Sequence, residues 1–199
     1  MSFLKLSKAI QGMAFFTLAL SAPLTWAAPD PVAGKAKAQV CAACHGEQGI
    51  SVVPGAPHLA AQPPLSVFYQ LLQFREQRRK GGGMEALVAN LSDADMRDIA
   101  AHYATLPAPP AQTGGDVAKI AKGQVIAQQQ FCSSCHGAQL QGQKHVPRLS
   151  GQSSEYFTAQ LRNLRSGARA DMDGTMGSAA RSLTDEEIEA MAVYSASLP

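Results

Sequence analysis

The feature that most constrains the fold is an internal repeat built around two short cysteine strings. The segment VCAACHGEQG, residues 40–49, is matched ninety-one positions later by FCSSCHGAQL, residues 131–140. All four cysteines of the 199-residue chain lie in these strings, as two Cys-x-x-Cys-His motifs. A chain that uses all its cysteines in one pattern, written twice, is predicted to fold as two similar units.

The match between the two halves continues well beyond the cysteines. Residues 57–79 align with residues 147–169 at a constant offset of 90, and residues 84–107 align with 176–199 at an offset of 92. The offsets differ only by small loop changes. The period is much longer than that of a solenoid repeat, so a tandem duplication is the better interpretation.

The first residues have the pattern of a secretory signal. A basic start with Lys5 and Lys8 is followed by an apolar run and then by small residues that end at Ala27. The alternative is a retained membrane anchor, but the apolar run is shorter than the roughly 20 residues that a bilayer span needs. We therefore predict that residues 1–27 are a signal peptide and that the mature protein is exported to the periplasm.

The remaining chain divides into two domains. Residues 28–107 are predicted to be the first and residues 116–199 the second, joined by a short, fairly stiff linker, 108–115, rich in proline and glycine. Loss of the two signal-peptide lysines lowers the basic count from 17 to 15, equal to the 15 acidic residues. Balanced charge disfavours nucleic acid as a partner and predicts no strong membrane contact.

The periodicity within each half is helical. The Cys-x-x-Cys-His string ends a first helix, and a second begins near Ser66 or Ser154. A third helix begins at a capping box and ends before a proline. The two predicted boxes are Ser92 with Asp95 and Thr184 with Glu187. No segment alternates with the period of a strand, so the predicted class is all-α.

Three short helices in about 80 residues bury little apolar surface, and so small a domain needs a staple, a metal or a cofactor. Cys-x-x-Cys-His is the attachment signal for c-type haem. One helical turn lets both sulfurs reach one porphyrin edge, and the next residue's imidazole lies under the iron. The predicted cofactors are two covalently attached haem c groups. Their thioether cysteines are Cys41, Cys44, Cys132 and Cys135, and their proximal iron ligands are His45 and His136.

Three other uses of the cysteines are alternatives to haem attachment. An oxidising compartment permits disulfides, but a disulfide does not need the histidine that follows each pair. A four-thiolate zinc site would join two pairs that lie 88 residues apart, each in its own repeat. A thioredoxin-like pair would follow a strand, whereas a helix is predicted here.

The ligand on the other face of each haem separates an electron carrier from an enzyme. Met84 and Met176 are the candidates, because each lies in a glycine-rich segment that is predicted to be a loop, and each precedes the third helix by the same interval. The other methionines are weaker candidates: Met96 and Met191 have core spacing, and Met172 has no counterpart in the first half.

Bis-histidine ligation is the alternative. The three other histidines, His58, His102 and His145, have no histidine at the equivalent position of the other half. His58 is predicted to be a surface or haem-edge residue. His102 is predicted to fill an aromatic packing position.

Pro57 and Pro147 follow the haem histidines by 12 and 11 residues. A proline carbonyl at that separation along the chain could accept a hydrogen bond from the free N–H of the imidazole and so fix the orientation of the ring. The alternative is that both are ordinary turn prolines.

Together these segments resemble class I c-type cytochromes, and specifically the di-haem cytochrome c4 family. The resemblance rests on CAACHG, PHLAAQ, YQLLQFREQRR, a methionine separated by six residues from LSDADMRDIAAHYATLP, and their second-half copies, over residues 33–199. It implies two cytochrome c folds related by a pseudo-twofold axis, each wrapped around a haem with His/Met ligation.

In function, the resemblance implies a periplasmic one-electron carrier between redox complexes, often toward a terminal oxidase, with no substrate turnover. The alternatives are a haem subunit of a dehydrogenase complex and a haem peroxidase or other small-substrate oxidoreductase. High-spin iron and rapid peroxide turnover would favour the peroxidase.

Overall fold

The computed structural model describes residues 28–199, and the predicted signal peptide, residues 1–27, lies outside the described residues. The first half contains α1 Pro31–Lys37, α2 Ala42–His45, α3 Pro64–Arg75, α4 Met84–Val88 and α5 Asp93–Thr105. The second half contains α6 Val117–Gln129, α7 Cys132–His136, α8 Ser154–Ser166, α9 Thr175–Ala180 and α10 Asp185–Ser197. Extended pairing within 28–199 is limited to one isolated bridge between Gln143 and Val146. The all-α prediction is confirmed.

None of the helices within residues 28–199 combines the length and the apolar character needed to cross a membrane.

Both predicted capping boxes are present. The Ser92 hydroxyl accepts from the Asp95 amide at 3.1 Å, while the Asp95 carboxylate accepts from the Ser92 amide at 3.0 Å. Thr184 and Glu187 make the same pair of contacts at the start of α10. These bonds satisfy amides that have no partner inside the helix, which is why α5 and α10 begin where the sequence predicts.

Each half is held together by the crossing of its first and last helices, α1 on α5 and α6 on α10. Both crossings depend on a glycine. A Cβ atom added at Gly34 would lie 1.9 Å from the Asp98 carbonyl oxygen, and one at Gly123 would lie 2.3 Å from that of Ala190. The helix backbones therefore approach more closely than any side chain would allow.

The two halves have separate cores. Met96 and Ile99 are almost fully buried in the first core, as are Ile188 and Ala192 in the second. Met191 is also buried in the second core, so the prediction that Met96 and Met191 are packing residues is confirmed. Two independent cores fit a duplicated chain in which each unit folds around its own centre.

The proline-rich segment between the halves packs against the second half. The Gln112 amide donates to the Ala196 carbonyl at 2.8 Å, and Pro109 is buried beside Gly151. The boundaries at 108 and 115 stay a prediction.

Two equivalent glutamines contribute hydrogen bonds between the halves. The Gln62 side chain binds both the amide and the carbonyl of Arg148, at 3.0 and 2.9 Å. The Gln152 side chain binds the amide and the carbonyl of His58 in the same way, at 2.8 and 3.0 Å. Gln152 and Arg148 are the repeat equivalents of Gln62 and His58 at the offset of 90, so the two contacts are equivalent. Such reciprocity is what a twofold relation between similar surfaces produces.

These contacts correct one prediction about His58. It is buried, at 9% exposure, and its Nδ1 accepts a hydrogen bond from the Ser51 amide at 2.9 Å. The surface alternative is therefore wrong.

We expect Gly123→Ala to destabilise the haem-loaded protein by about 2 kcal/mol or more, although alanine is the better helix former. The added methyl group would collide with the backbone of α10, which has no rotamer to change. The measurement is urea unfolding followed by circular dichroism. Gln124→Ala is the matched control, because Gln124 is exposed on the same helix, and its effect should stay within about 0.5 kcal/mol. Equal stability of the two variants would contradict the proposed helix contact.

Candidate functional site

Each Cys-x-x-Cys-His string forms a tight helical turn at the edge of its core. In the first half, Cys41 ends a 3₁₀ turn, Ala38–Cys41, and α2 carries Cys44 and His45. Gly46 ends α2 with a φ of +74°, and a Cβ there would lie 2.1 Å from the Ile50 carbonyl oxygen. The chain reverses at this glycine and later returns to the imidazole at Pro57.

The four cysteines are free and lie in two separate places, one in each half. The structure thus holds no disulfide between them. No group of three or more His, Cys, Asp or Glu side chains within residues 28–199 could hold a metal ion, so the four-thiolate zinc alternative fails as well. Cys44 and Cys135 are exposed, whereas Cys41 and Cys132 are partly buried against their cores.

Both motif histidines hydrogen-bond to a proline carbonyl. Nδ1 of His45 lies 2.9 Å from the Pro57 oxygen, and Nδ1 of His136 lies 2.9 Å from the Pro147 oxygen. A carbonyl can only accept, so Nδ1 carries the proton in each ring. The lone pair of the neutral imidazole is then on Nε2, which is the atom available to a metal.

The environment of His136 fits a ligand to iron. Its Nε2 is buried and has no hydrogen-bond partner among the described residues, a state that is costly for a polar atom. Burial lowers the pKa of His45 and of His136, and the proline carbonyls only partly oppose this. Both rings are therefore neutral at neutral pH, as metal binding requires.

Met84 and Met176 lie at the start of short helices rather than in loops. Met84 is the first residue of α4 and Met176 the second of α9. Each helix follows a left-handed glycine, Gly83 or Gly174, at which the chain turns and a new helix begins. The prediction that the two methionines lie in loops is therefore corrected.

Each methionine packs against the same core as the first cysteine of its half. Met84 and Cys41 contact the first core, and Met176 and Cys132 contact the second. Met172, in contrast, is 62% exposed.

The remaining histidines make other contacts. His102 is buried with its ring 5.3 Å from that of Tyr103, so the prediction that it fills an aromatic packing position is confirmed. His145 lies edge-on to Tyr69 of the other half, at 6.4 Å between ring centroids.

Two arginines that the repeat aligns, Arg79 and Arg169, meet between the halves. Their constant offset of 90 was visible in the sequence, but nothing there indicates that they lie close together. Both donate hydrogen bonds to the side-chain oxygens of Gln70 and Gln160.

Known proteins match the chain in both halves. Residues 120–199 match a family model described as cytochrome c, and residues 31–102 match one described as cytochrome C oxidase, cbb3-type, subunit III. Cytochrome c4 of Thiocapsa roseopersicina is 41% identical over 83% of this chain and 91% of its own. This chain belongs to the cytochrome c4 family. Its two Cys-x-x-Cys-His motifs accordingly fit two covalently bound haem c groups, and like its cytochrome c4 relatives it is an electron-transfer protein with redox proteins as partners.

A second relative and a solved structure add detail to the family match. The "thiosulfate dehydrogenase electron acceptor" of Stutzerimonas stutzeri (strain A1501) is 34% identical over 81% of this chain and 80% of its own. The crystal structure of reduced recombinant cytochrome c4 from Pseudomonas stutzeri superposes with a TM-score of 0.79 at 30% identity. That match covers 86% of this chain and 100% of the other.

We expect replacement of both Cys41 and Cys44 by alanine to remove one haem and leave the other in place, because each core has its own attachment motif. The mass of the purified protein should fall by one haem group, and its haem content should be halved. The matched variant replaces Cys132 and Cys135 and should lose the other haem. A wild-type protein that carries no covalent haem would contradict the assignment.

Proposed function

We propose that this cytochrome c4 holds one haem iron between His45 and Met84 and the other between His136 and Met176, and that it carries single electrons in the periplasm. The observation that supports these ligands most strongly is the same in both halves. A histidine with its Nδ1 proton on a proline carbonyl, a cysteine and a methionine converge on one core.

Histidine and methionine together determine what chemistry is available. A haem with both axial positions filled has no open site for peroxide or another substrate, and a thioether ligand raises its reduction potential. Each half therefore accepts and donates one electron without making or breaking a bond in a substrate. This arrangement favours a carrier over a haem peroxidase.

Export to the periplasm is part of the proposal. It rests on the basic and apolar pattern of residues 1–27 and on covalent haem attachment, which retains the cofactor in a small domain outside the cytoplasm. The proposed direction of transfer is from an electron-donating complex toward a terminal oxidase. The equal counts of basic and acidic residues after removal of the signal provide little electrostatic steering.

A second candidate role is supported by one relative. Because a protein named thiosulfate dehydrogenase electron acceptor matches most of this chain, the electron donor is proposed to be a dehydrogenase of that type. The protein would then act as its acceptor, either free or bound as a haem subunit.

We expect Met84→Ala and Met176→Ala each to remove about half of the weak red absorption band that an iron–thioether bond gives in the oxidised protein. The double variant should lose the band completely. Both haems should stay attached, and the reduction potential of the altered half should fall, because the thioether no longer stabilises the reduced iron. Optical spectra and a spectroelectrochemical titration measure these changes.

Met172→Ala is the matched control, because Met172 lies four residues from Met176 and is exposed. Its spectrum and potentials should equal those of the wild type. An unchanged band in the double variant would rule out both methionines as ligands. High-spin spectra and rapid peroxide turnover in the wild type would favour a peroxidase.

The electron donor can be tested with purified components. We expect a thiosulfate dehydrogenase, supplied with thiosulfate, to reduce the oxidised cytochrome rapidly in a stopped-flow experiment. Subsequent oxidation by a haem–copper oxidase would support the proposed direction. Oxidation by the oxidase without reduction by the dehydrogenase would retain the carrier role and reject this donor.

A further inference from the structure

One pair of buried positions differs between two halves that are otherwise built alike. In the first half the pair is Gly49 and Tyr103, whereas the second half has Leu140 and Ser195 at the equivalent positions. Tyr103 is 2% exposed, Leu140 is 3% exposed and Ser195 is 0% exposed. Each half therefore combines one large side chain with one small one, but the large one comes from the opposite member of the pair.

The backbone around the pair is the same in both halves. The Gly49 carbonyl accepts from the amides of Leu59 and Ala60, at 2.7 and 3.1 Å, and the Tyr103 carbonyl accepts from the Ala61 amide at 3.0 Å. Their repeat equivalents in the second half form the same three bonds at 2.8, 3.1 and 2.9 Å. The difference between the halves is therefore confined to the side chains.

Gly49 provides the space that the Tyr103 ring occupies. A Cβ atom added at Gly49 would lie 3.1 Å from Cδ1 of Tyr103 and 2.9 Å from the Ala60 amide nitrogen. A leucine at this position, as in the second half, would collide with the ring, because its side chain extends well beyond the Cβ atom. The phenol is thus compatible with the first half only.

The Tyr103 side chain brings a hydroxyl group to the attachment cysteine Cys41. Tyr103 is part of the first core, and Cys41 packs against that core. Burial raises the pKa of the Cys41 thiol, and a hydrogen bond from the Tyr103 hydroxyl opposes this shift. Burial also raises the pKa of Tyr103, and Cys41 raises it further through its charge and the same hydrogen bond. The phenol O–H therefore donates to the Cys41 sulfur.

The second half has no counterpart of this contact. The Ser195 side chain is shorter, and its hydroxyl donates to the Leu149 carbonyl of its own half. Burial raises the pKa of Cys132 as it does that of Cys41, but the hydrogen bond that opposes the shift comes from the backbone of Cys132 itself. Only the first attachment site therefore has a side-chain hydroxyl on its first sulfur.

The Cys41 thiol stands for the thioether sulfur that links this residue to the first haem. A thioether sulfur retains its lone pairs and accepts a hydrogen bond weakly. Such a bond is electrostatically stronger in a buried site than in water, because the local dielectric is low. A hydroxyl dipole whose positive end points toward the haem edge stabilises an added electron, so it favours the reduced haem.

We propose that Tyr103 is a positioning residue of the first haem alone, whose hydroxyl donates to the Cys41 thioether sulfur and raises the reduction potential of that haem. The two halves have the same backbone here, so this contact contributes to a difference between their potentials. The inference deepens the proposed carrier role and rests on it, because a potential matters only if each haem accepts and donates an electron.

The test removes one oxygen atom from the haem-loaded protein. Tyr103→Phe retains the ring and therefore the packing against Gly49. We expect the reduction equilibrium of the first haem to fall about threefold, which is about 28 mV at about 59 mV per tenfold for a one-electron couple. The second haem should keep its potential. Spectroelectrochemical titration measures both potentials, and the variant without Cys41 and Cys44 assigns the remaining potential to the second half.

Ser195→Ala is the matched control, because it removes the equivalent hydroxyl of the second half. That hydroxyl binds a carbonyl rather than a sulfur, so both potentials should equal those of the wild type. Equal shifts of both haems in Tyr103→Phe, or a shift in Ser195→Ala as large as that in Tyr103→Phe, would overturn the proposal.

A vibrational measurement separates the hydrogen bond from a purely structural role. In the wild type, the thioether C–S stretching band of the first haem should shift after exchange into D₂O, because the phenol proton is replaced by deuterium. In Tyr103→Phe the band should move and lose this isotope shift. A change in potential without these spectral changes, or the spectral changes without a change in potential, would contradict the role assigned to Tyr103.

Failure of this inference is distinguishable from failure of the proposed iron ligands. The mass of the protein checks haem attachment, and the red absorption band checks methionine ligation. A Tyr103→Phe variant with both haems, an intact red band and wild-type potentials would reject the role of Tyr103 and retain the carrier. Absence of the red band from the wild type would reject the ligation instead.

Discussion

The structure depends on the fact that each half is too small to form a sufficient core from its own side chains. Its helices are short, and the segments between them are rich in glycine and proline. A covalently bound haem supplies the large apolar group around which such helices can pack. The tightly turned Cys-x-x-Cys-His helix fits covalent attachment of that group, and in the proposed ligation the proline carbonyl orients the imidazole that binds its iron. The cofactor is therefore a structural part of the fold as well as its redox centre.

Duplication adds a second level of organisation. Because both halves present the same surface, Gln62 and Gln152 each bind the backbone of the opposite half, and the two contacts reinforce one relative orientation. The same geometry brings two arginines together, which neither half could do alone. A single domain would hold a haem and carry an electron. Joining two such domains through polar contacts makes it possible for the charge around one haem to influence the other.

The elements that were predicted correctly are those with local causes. A capping box works through residues three positions apart, so Ser92 and Asp95 could be read directly from the sequence. The attachment motif is equally local. Two expectations failed. Met84 and Met176 were expected in loops, but each lies in the first turn of a short helix that follows a left-handed glycine. His58 was expected at the surface or at a haem edge, and its burial in the folded chain excludes the surface.

The sequence by itself determined the duplication, the helical class, the haem attachment sites and the candidate ligands, because repeats, helix caps and short motifs act between neighbours in the chain. Only the tertiary structure decided why Gly34 and Gly123 must be glycine, since the collision they avoid is with a helix more than 60 residues away. It also decided that Arg79 faces Arg169. Charge in a protein is balanced across space, and the distance between two charged groups is fixed only when the chain has folded.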